Sequence, residues 1–487
     1  MLALGTWLLC AASAILTVCY FITKYSRKRR PGEPPIVKGN LIFGSAKDFG
    51  THAVDFLHKA TAKYGEVFTI RLINQYLTII TDPHSFEAMS KERNFDFDPI
   101  QKQVNWNVFS FVLREPRKMI KDTGRTVRGA YLFKGMQSYT DNLETAFNRQ
   151  QAVSEKEWHT TGLRAFSAQT IFDALFNTIF GNGDHDMFES QRVYKNFETF
   201  HKFFNYFWLG MPKSFFTPAM KALGELLCQP AAEDLLGRPD VSDYIKTAIN
   251  YMKLQGQTAD EIKGHNLVYL HVNYNTFRLA FWVINNILTD EKCYAQLQDE
   301  IDSLVEDHLD SETNSASVTF QEVENMKMLN SVVQESIRMS SGVFMVRYVH
   351  ADTNFTVTDS GKSYVVRGGD RVAIYPPAIH KDPEIFEDPE TFKHDRFVDA
   401  TFYKNGKELK NPILAFGSLC PGKRFALLQL KWFIIRLLTR FEMTLEDGQP
   451  AEYDYSYHGH EILPPKSDIE MKFRHRSNPP TLEFMRD

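Results

Sequence analysis

Apolar side chains recur along this chain at intervals of three and four over long stretches, and of two over short ones, so a mainly α chain with small β sheets is predicted. From Gly264 to Leu288 the residues Leu267, Leu270, Tyr274, Phe277, Phe281 and Ile284 keep the helical interval and predict one long helix through the middle. Near the C-terminus, Phe425, Leu428, Trp432, Ile435 and Leu438 form one stripe, while Leu427, Leu430, Phe433, Ile434 and Leu437 cover most of the remaining circumference. A helix apolar almost all round is a buried helix. Asp48 to Tyr64 is helical and is stopped by Gly65, and further helices are predicted near 137–152, 162–180 and 192–207. Thr319-Phe-Gln-Glu322 is a capping box that opens a helical region whose buried side carries Leu329, Val332, Val333 and Ile337. The β-branched runs Val67–Leu72 and Tyr76–Thr81, separated by Ile73, Asn74 and Gln75, predict a hairpin. Short strands around Phe355, Tyr364 and Arg371–Tyr375 predict a second small sheet.

Leu2 to Thr23 is uncharged and apolar, and Lys24, Arg27, Lys28, Arg29 and Arg30 follow at once. That length spans a bilayer, and the basic cluster marks its cytoplasmic side. A cleaved signal peptide would carry its positive charges before the apolar run rather than after it. The expected organisation is therefore a membrane anchor at 1–24, a basic and proline-bearing hinge at 25–40 around Pro31, Pro34 and Pro35, and one catalytic domain at 41–487.

Composition narrows the chemistry. With 487 residues, 43 % of them hydrophobic, the chain can bury a large core, and a net charge of −4 argues against nucleic acid as the main partner. Thirty-nine phenylalanines suit either an ordinary core or an interior built for apolar ligands. The run from Phe197 through Phe200, Phe203, Phe204, Phe207, Trp208 and Phe215 to Phe216 fits a lipophilic channel, a membrane contact or core packing. The five cysteines, at 10, 19, 228, 293 and 420, show no paired spacing and no zinc or iron–sulfur pattern.

Cys420 differs from the other four. It precedes the buried C-terminal helix, where free backbone N–H groups favour a thiolate, and so it is placed as a metal ligand or a nucleophile. Gly417 and Gly422 flank it without side-chain bulk, leaving room for something flat and large. As a nucleophile it would need a histidine base, for which His271 and His460 are the candidates.

The stretch Ala415–Leu438 resembles the haem-binding loop of the cytochrome P450 family. Cys420, Pro421 and Gly422 match, whereas Phe416 stands four residues before the cysteine rather than seven, leaving the loop three residues short. Gln334-Glu-Ser-Ile-Arg338 resembles the family's Glu-x-x-Arg motif, and Phe392-Lys-His-Asp-Arg396-Phe resembles the segment that supplies a second arginine. The resemblance implies the cytochrome P450 fold with an N-terminal membrane anchor helix. It implies haem held through Cys420 as the axial ligand of iron, with Phe416, Gly422 and Arg347 at the cofactor, and Glu335, Arg338 and Arg396 as a structural network.

On the long central helix the family's acid–alcohol pair is absent; Asn275, Thr276, Phe277 and Arg278 stand there, with Asn275 and Thr276 the catalytic candidates. Asn275 and the downstream Phe281-Trp282 resemble the branch of prostacyclin synthase and the sterol 7α-, 12α- and oxysterol hydroxylases, in which a proline usually stands where Arg278 is. A buried arginine there needs a partner or must point away from the haem. No upstream Trp-x-x-x-Arg pair is visible, and Arg125, Arg128 and Lys134 are its only substitutes. The resemblance implies a monooxygenase hydroxylating a sterol or related lipid, with an NADPH-dependent reductase, at the endoplasmic-reticulum membrane. The alternatives are an isomerase acting on a fatty-acid endoperoxide without external electrons, and a protein of this fold with impaired haem binding.

Overall fold

A computed structural model describes Ser13 and residues 27–151, 157–183, 188–416, 420–446, 448, 450–457 and 461–486. The expected anchor, Leu2–Thr23, lies outside this set save for Ser13. No helix among the described residues is long and apolar enough to cross a membrane.

The molecule is built around the helix Ala259–Thr289. It begins earlier than the apolar period suggested because Thr258 and Glu261 form a capping box that satisfies the first N–H groups. Its buried residues run from Ile262 to Ile287, and it packs against the helices Glu291–Glu306, Lys327–Ser340 and Lys423–Arg440. In the last of these every residue from Leu428 to Arg440 is buried, as an apolar circumference requires. The capping box at Thr319 and Glu322 opens the helix Phe320–Asn325, and Met326 caps the next one, Lys327–Ser340. The helix predicted at 137–152 starts eight residues earlier, as Gly129–Gln151. The one at 162–180 comprises Leu163–Ser167, a π turn and Asp173–Phe180.

The hairpin forms with Val67 opposite Ile80 and Leu72 opposite Gln75, joined by two residues of which Ile73 takes a left-handed φ of 56°. The prediction for the second sheet needs correction. Thr353–Thr356 and Ser363–Val366 do pair with each other, but Arg371–Ile374 leaves them and runs parallel to Gln75–Ile80. A strand carrying Val372, Ala373 and Ile374, buried on both sides, needs a partner on each edge, and Met345–Val349 supplies the second. The expected hinge is tied to this sheet. Val37 donates its N–H to the Thr69 carbonyl (2.8 Å), and buried Glu33 is gripped by Arg367 (2.6 Å). That pairing holds the Glu33 carboxyl below its usual range despite burial, which pushes the other way.

Candidate active site

Behind the cysteine segment lies a charge network sealed from solvent. The Glu335 carboxylate accepts from Arg338 Nε (2.7 Å) and Nη2 (2.8 Å), from Arg396 Nε (2.9 Å) and from the Lys393 backbone N–H (3.1 Å). One helical turn separates Glu335 from Arg338, so both project from the same face of Lys327–Ser340. The remaining Arg338 donors go to the His380, Pro389 and Thr391 carbonyls, so the buried charge is satisfied all round. His380 is sealed beside it and accepts the Leu414 N–H at 3.1 Å, which ties this network to the strand of chain entering the cysteine loop.

Cys420 lies two residues before the N-cap of Lys423–Arg440, which is Gly422. Pro421 abuts Gly124, where an added Cβ would come within 3.0 Å of its ring, so the segment is braced against Pro116–Arg125. A Cβ on Gly422 would meet nothing within 4 Å. Although the helix that follows it is buried, the thiol does not point into packed interior. Cys420 is exposed, and it lines two cavities, of about 490 and 560 Å3. Protein walls still strip it of water, and that desolvation pushes its pKa above the ordinary thiol value, with Glu461 adding to the rise. The N–H groups of Gly422 and Lys423 act the other way, which is the helix-end effect expected from the sequence, here outweighed.

The larger cavity contains Arg128, Lys423, Arg424 and Lys431, and the smaller one is walled by Thr276, Val272, Phe425, Tyr244 and Gln429. Gln429 is fully buried and its amide nitrogen has no hydrogen-bond partner among the described residues, so a donor waits in the wall beside the sulfur. A haem needs one soft sulfur, room beside it and donors for its periphery, and the residues around Cys420 fit it at the iron end. No group of three histidines, cysteines or acids competes as a metal site among the described residues.

The other expected site residues divide. Thr276 is buried and faces the 490 Å3 cavity, whereas half-buried Asn275 lies a hundred degrees further round the helix and does not line it. Phe416 is half-buried under the Lys423 ammonium, whose Nζ lies 5.3 Å from the ring centre. Arg347 lines neither cavity. It is buried in Met345–Val349, donates to the Val346 carbonyl (2.9 Å) and stacks on Phe97. Of the three substitutes for the missing arginine, Arg125 pairs with Asp122 and lines neither cavity, whereas Lys134, paired with Asp243, lines the 490 Å3 cavity with the sulfur and Arg128 lines the 560 Å3 one. Gly417 and His460 lie outside the described residues. His271 lines neither cavity, so it is not placed as a base for Cys420.

Arg278 turns out to be 4 % exposed and is part of a cluster that the sequence did not reveal. It donates to the Ile462 carbonyl (3.2 Å) and to His201 Nδ1 (3.1 Å), and it lies over the Tyr274 ring at 4.7 Å and the Tyr457 ring at 5.4 Å. His201 Nε2 reaches His271 Nδ1 at 3.1 Å, and His271 Nε2 stands 3.5 Å from Glu461. The signal that could have found it was the spacing of His271, Asn275 and Arg278, at i, i+4 and i+7 of one helix face.

The structure is thus a mainly α body with one thiol at the base of its buried C-terminal helix, cavities beside that thiol, and a buried Glu–Arg–Arg network tied to the same segment. The chain belongs to the cytochrome P450 family, whose model matches residues 34–230 and 276–473. Among curated proteins it is 29 % identical to cholesterol 7-alpha-monooxygenase of Cricetulus griseus, over 94 % of this chain and 97 % of the relative. It is 27 % identical to prostacyclin synthase of Rattus norvegicus (92 % and 95 % covered). It is also 27 % identical to 5-beta-cholestane-3-alpha,7-alpha-diol 12-alpha-hydroxylase of Sus scrofa (93 % and 95 %). The family and branch are those that the Cys420 loop and the central helix resembled, and the chain is an enzyme of the oxidoreductase or isomerase kind.

Proposed function

We propose that this chain is a haem-thiolate monooxygenase that hydroxylates a sterol or related lipid, working with an NADPH-dependent reductase at the endoplasmic-reticulum membrane. The observation that carries the reading is the Cys420 sulfur opening onto a 490 Å3 cavity under the central helix, a volume within the range of cofactor sites. Haem, when bound, would supply redox chemistry at iron, and Cys420 is the residue that would hold it. The protein's part is the rest. The Gly422 and Lys423 N–H groups oppose the desolvation that raises the thiol pKa, Phe425 and Val272 line the cavity, and Gln429 offers its free amide. Thr276, which lines the cavity, and Asn275 on the neighbouring face hold or pass the proton that the missing acid would otherwise handle.

A second reading is an isomerase of a fatty-acid endoperoxide. The absence of any carboxylic acid from residues 275–278 favours it, because such a rearrangement draws no protons from solvent. Two measurements test the proposals. A reduced carbon monoxide difference spectrum of the purified full chain should show a thiolate-type Soret band that is lost in Cys420→Ala; its absence from the natural chain sinks both readings in favour of a protein of this fold with impaired haem binding. Turnover that requires NADPH and reductase supports the monooxygenase; product from an endoperoxide with neither present overturns it.

A further inference from the structure

We propose that the 560 Å3 cavity beside Cys420 is a binding site for a phosphate monoester, with the buried ammonium of Lys431 as its counter-ion. The inference depends neither on haem nor on a lipid substrate. Arg424, Leu427, Leu428 and Lys431 stand at i, i+3, i+4 and i+7 of Lys423–Arg440, so one helix face lines the cavity. Lys431 is 7 % exposed, and its ammonium has neither a hydrogen bond nor an ion pair among the described residues. Burial pulls its pKa down to about 8, and the charges of Glu324 and Glu300 oppose that only in part. Both acids are engaged elsewhere. Glu324 accepts from Arg424 Nε and Nη2 at 2.7 and 2.8 Å, and Glu300 accepts the Met328 and Leu329 N–H groups at 2.8 Å. Gly417, Ser418 and Leu419, which lie outside the described residues just before Cys420, carry no acid. A buried cation that lines open space without a counter-ion is the group that gains most from an incoming anion.

The charge count sets the class of anion. Four cations line the cavity, Arg128, Lys423, Arg424 and Lys431, against one acid, Glu324, which Arg424 neutralises. Arg128, Lys423 and Lys431 remain without a carboxylate within ion-pair distance among the described residues, and three positive charges suit the two negative ones of a phosphate monoester better than the single one of a carboxylate. Lys423 also acts on the Cys420 sulfur, but Lys431 stands eight residues, about 12 Å, further along the helix. Val127, Leu132, Pro421, Leu427 and Leu428 make the rest of the wall apolar, so the other end of the ester is a small hydrophobic group. Arg128 and Lys423 are exposed and open to any acidic surface, whereas Lys431 is reached only by a group small enough to enter, which favours a small molecule over a protein. The volume is that of a small-molecule site.

The test is titration calorimetry of the detergent-solubilised full chain with phenyl phosphate and with benzoate, which join the same ring to two charges or to one at about pH 7.5, above the second pKa of a phosphate monoester. Phenyl phosphate should bind one site per chain at least about tenfold more tightly than benzoate, and Lys431→Met should weaken it at least about tenfold, the effect of one charge-assisted hydrogen bond. The methionine removes an uncompensated buried charge, so lost binding is not lost structure, and an unchanged circular dichroism spectrum checks this. Displacement of phenyl phosphate by phosphatidate added to the micelles assigns the ester to a lipid headgroup; failure to displace it assigns a soluble ester. No saturable binding of phenyl phosphate to the natural chain overturns the site, and so does benzoate binding of equal strength; neither result needs a variant to fold. An affinity that survives Lys431→Met also overturns it.

Discussion

Replacing Glu335 by glutamine changes one atom at the centre of the network that seats the cysteine segment. In the natural chain the carboxylate accepts four hydrogen bonds of 2.7–3.1 Å, three of them from guanidinium groups. The Glu335 and Arg338 side chains are wholly buried, and that of Arg396 is 6 % exposed. Glutamine fills the same space but turns one acceptor into a donor facing Arg338 or Arg396, and it removes the only carboxylate within ion-pair distance of either arginine among the described residues. Breaking one partner out of a buried pair costs about 3–5 kcal/mol. In a chain this long a loss of 1 kcal/mol lowers the melting temperature by about 2 °C, so Glu335→Gln should melt about 6–10 °C below the natural protein in a thermal scan at matched heating rate. Lys393→Ala, which removes an exposed lysine paired with Glu387 and Asp388, is the control and should shift the melt by less than about 1 °C. A Glu335→Gln variant melting within 2 °C of wild type, against the roughly 6 °C minimum expected for a broken buried pair, would show that the network is not holding the fold in the way its geometry implies.

Other consequences are simpler to state. Lys431 is 7 % exposed with no carboxylate within ion-pair distance among the described residues, and burial pulls its pKa down to about 8. Lys431→Met should therefore stabilise the protein by about 2–3 kcal/mol at neutral pH, read from denaturant midpoints; an unchanged midpoint refutes it. Burial holds His380 and His265 at about 3 against an ordinary 6.5. The unfolded chain thus binds more protons than the folded one between those limits, so stability is full above pH 6.5 and falls as pH drops toward 3. His380→Gln should flatten that slope between pH 6.5 and 5, and an identical slope counts against it. Gly124→Val drives a branched side chain into Pro421, which sits next to Cys420; the expected result is a loss of about 1–3 kcal/mol together with weaker haem retention on gel filtration. Retention equal to the natural chain would show that this brace does not position the sulfur.

What could be read from the chain alone is what neighbours in sequence decide. The central and C-terminal helices follow from apolar spacing, the capping box at Thr319 from a four-residue pattern, and the face shared by Glu335 and Arg338 from one turn of helix. Each depends on contacts within a few residues, where chain connectivity does most of the ordering. The third dimension decided the rest. Arg371–Ile374 joined a strand about three hundred positions earlier in the chain, because its buried edges needed partners that only the folded sheet provides. Thr276 lines the cavity that Cys420 lines and Arg278 does not, although two positions separate them, since a helix turns them some two hundred degrees apart and tertiary packing sets which side meets that cavity. His201, His271 and Glu461 came together from three distant segments, and nothing local marks such a cluster: its energy comes from excluding water around groups that are adjacent only after the chain has folded.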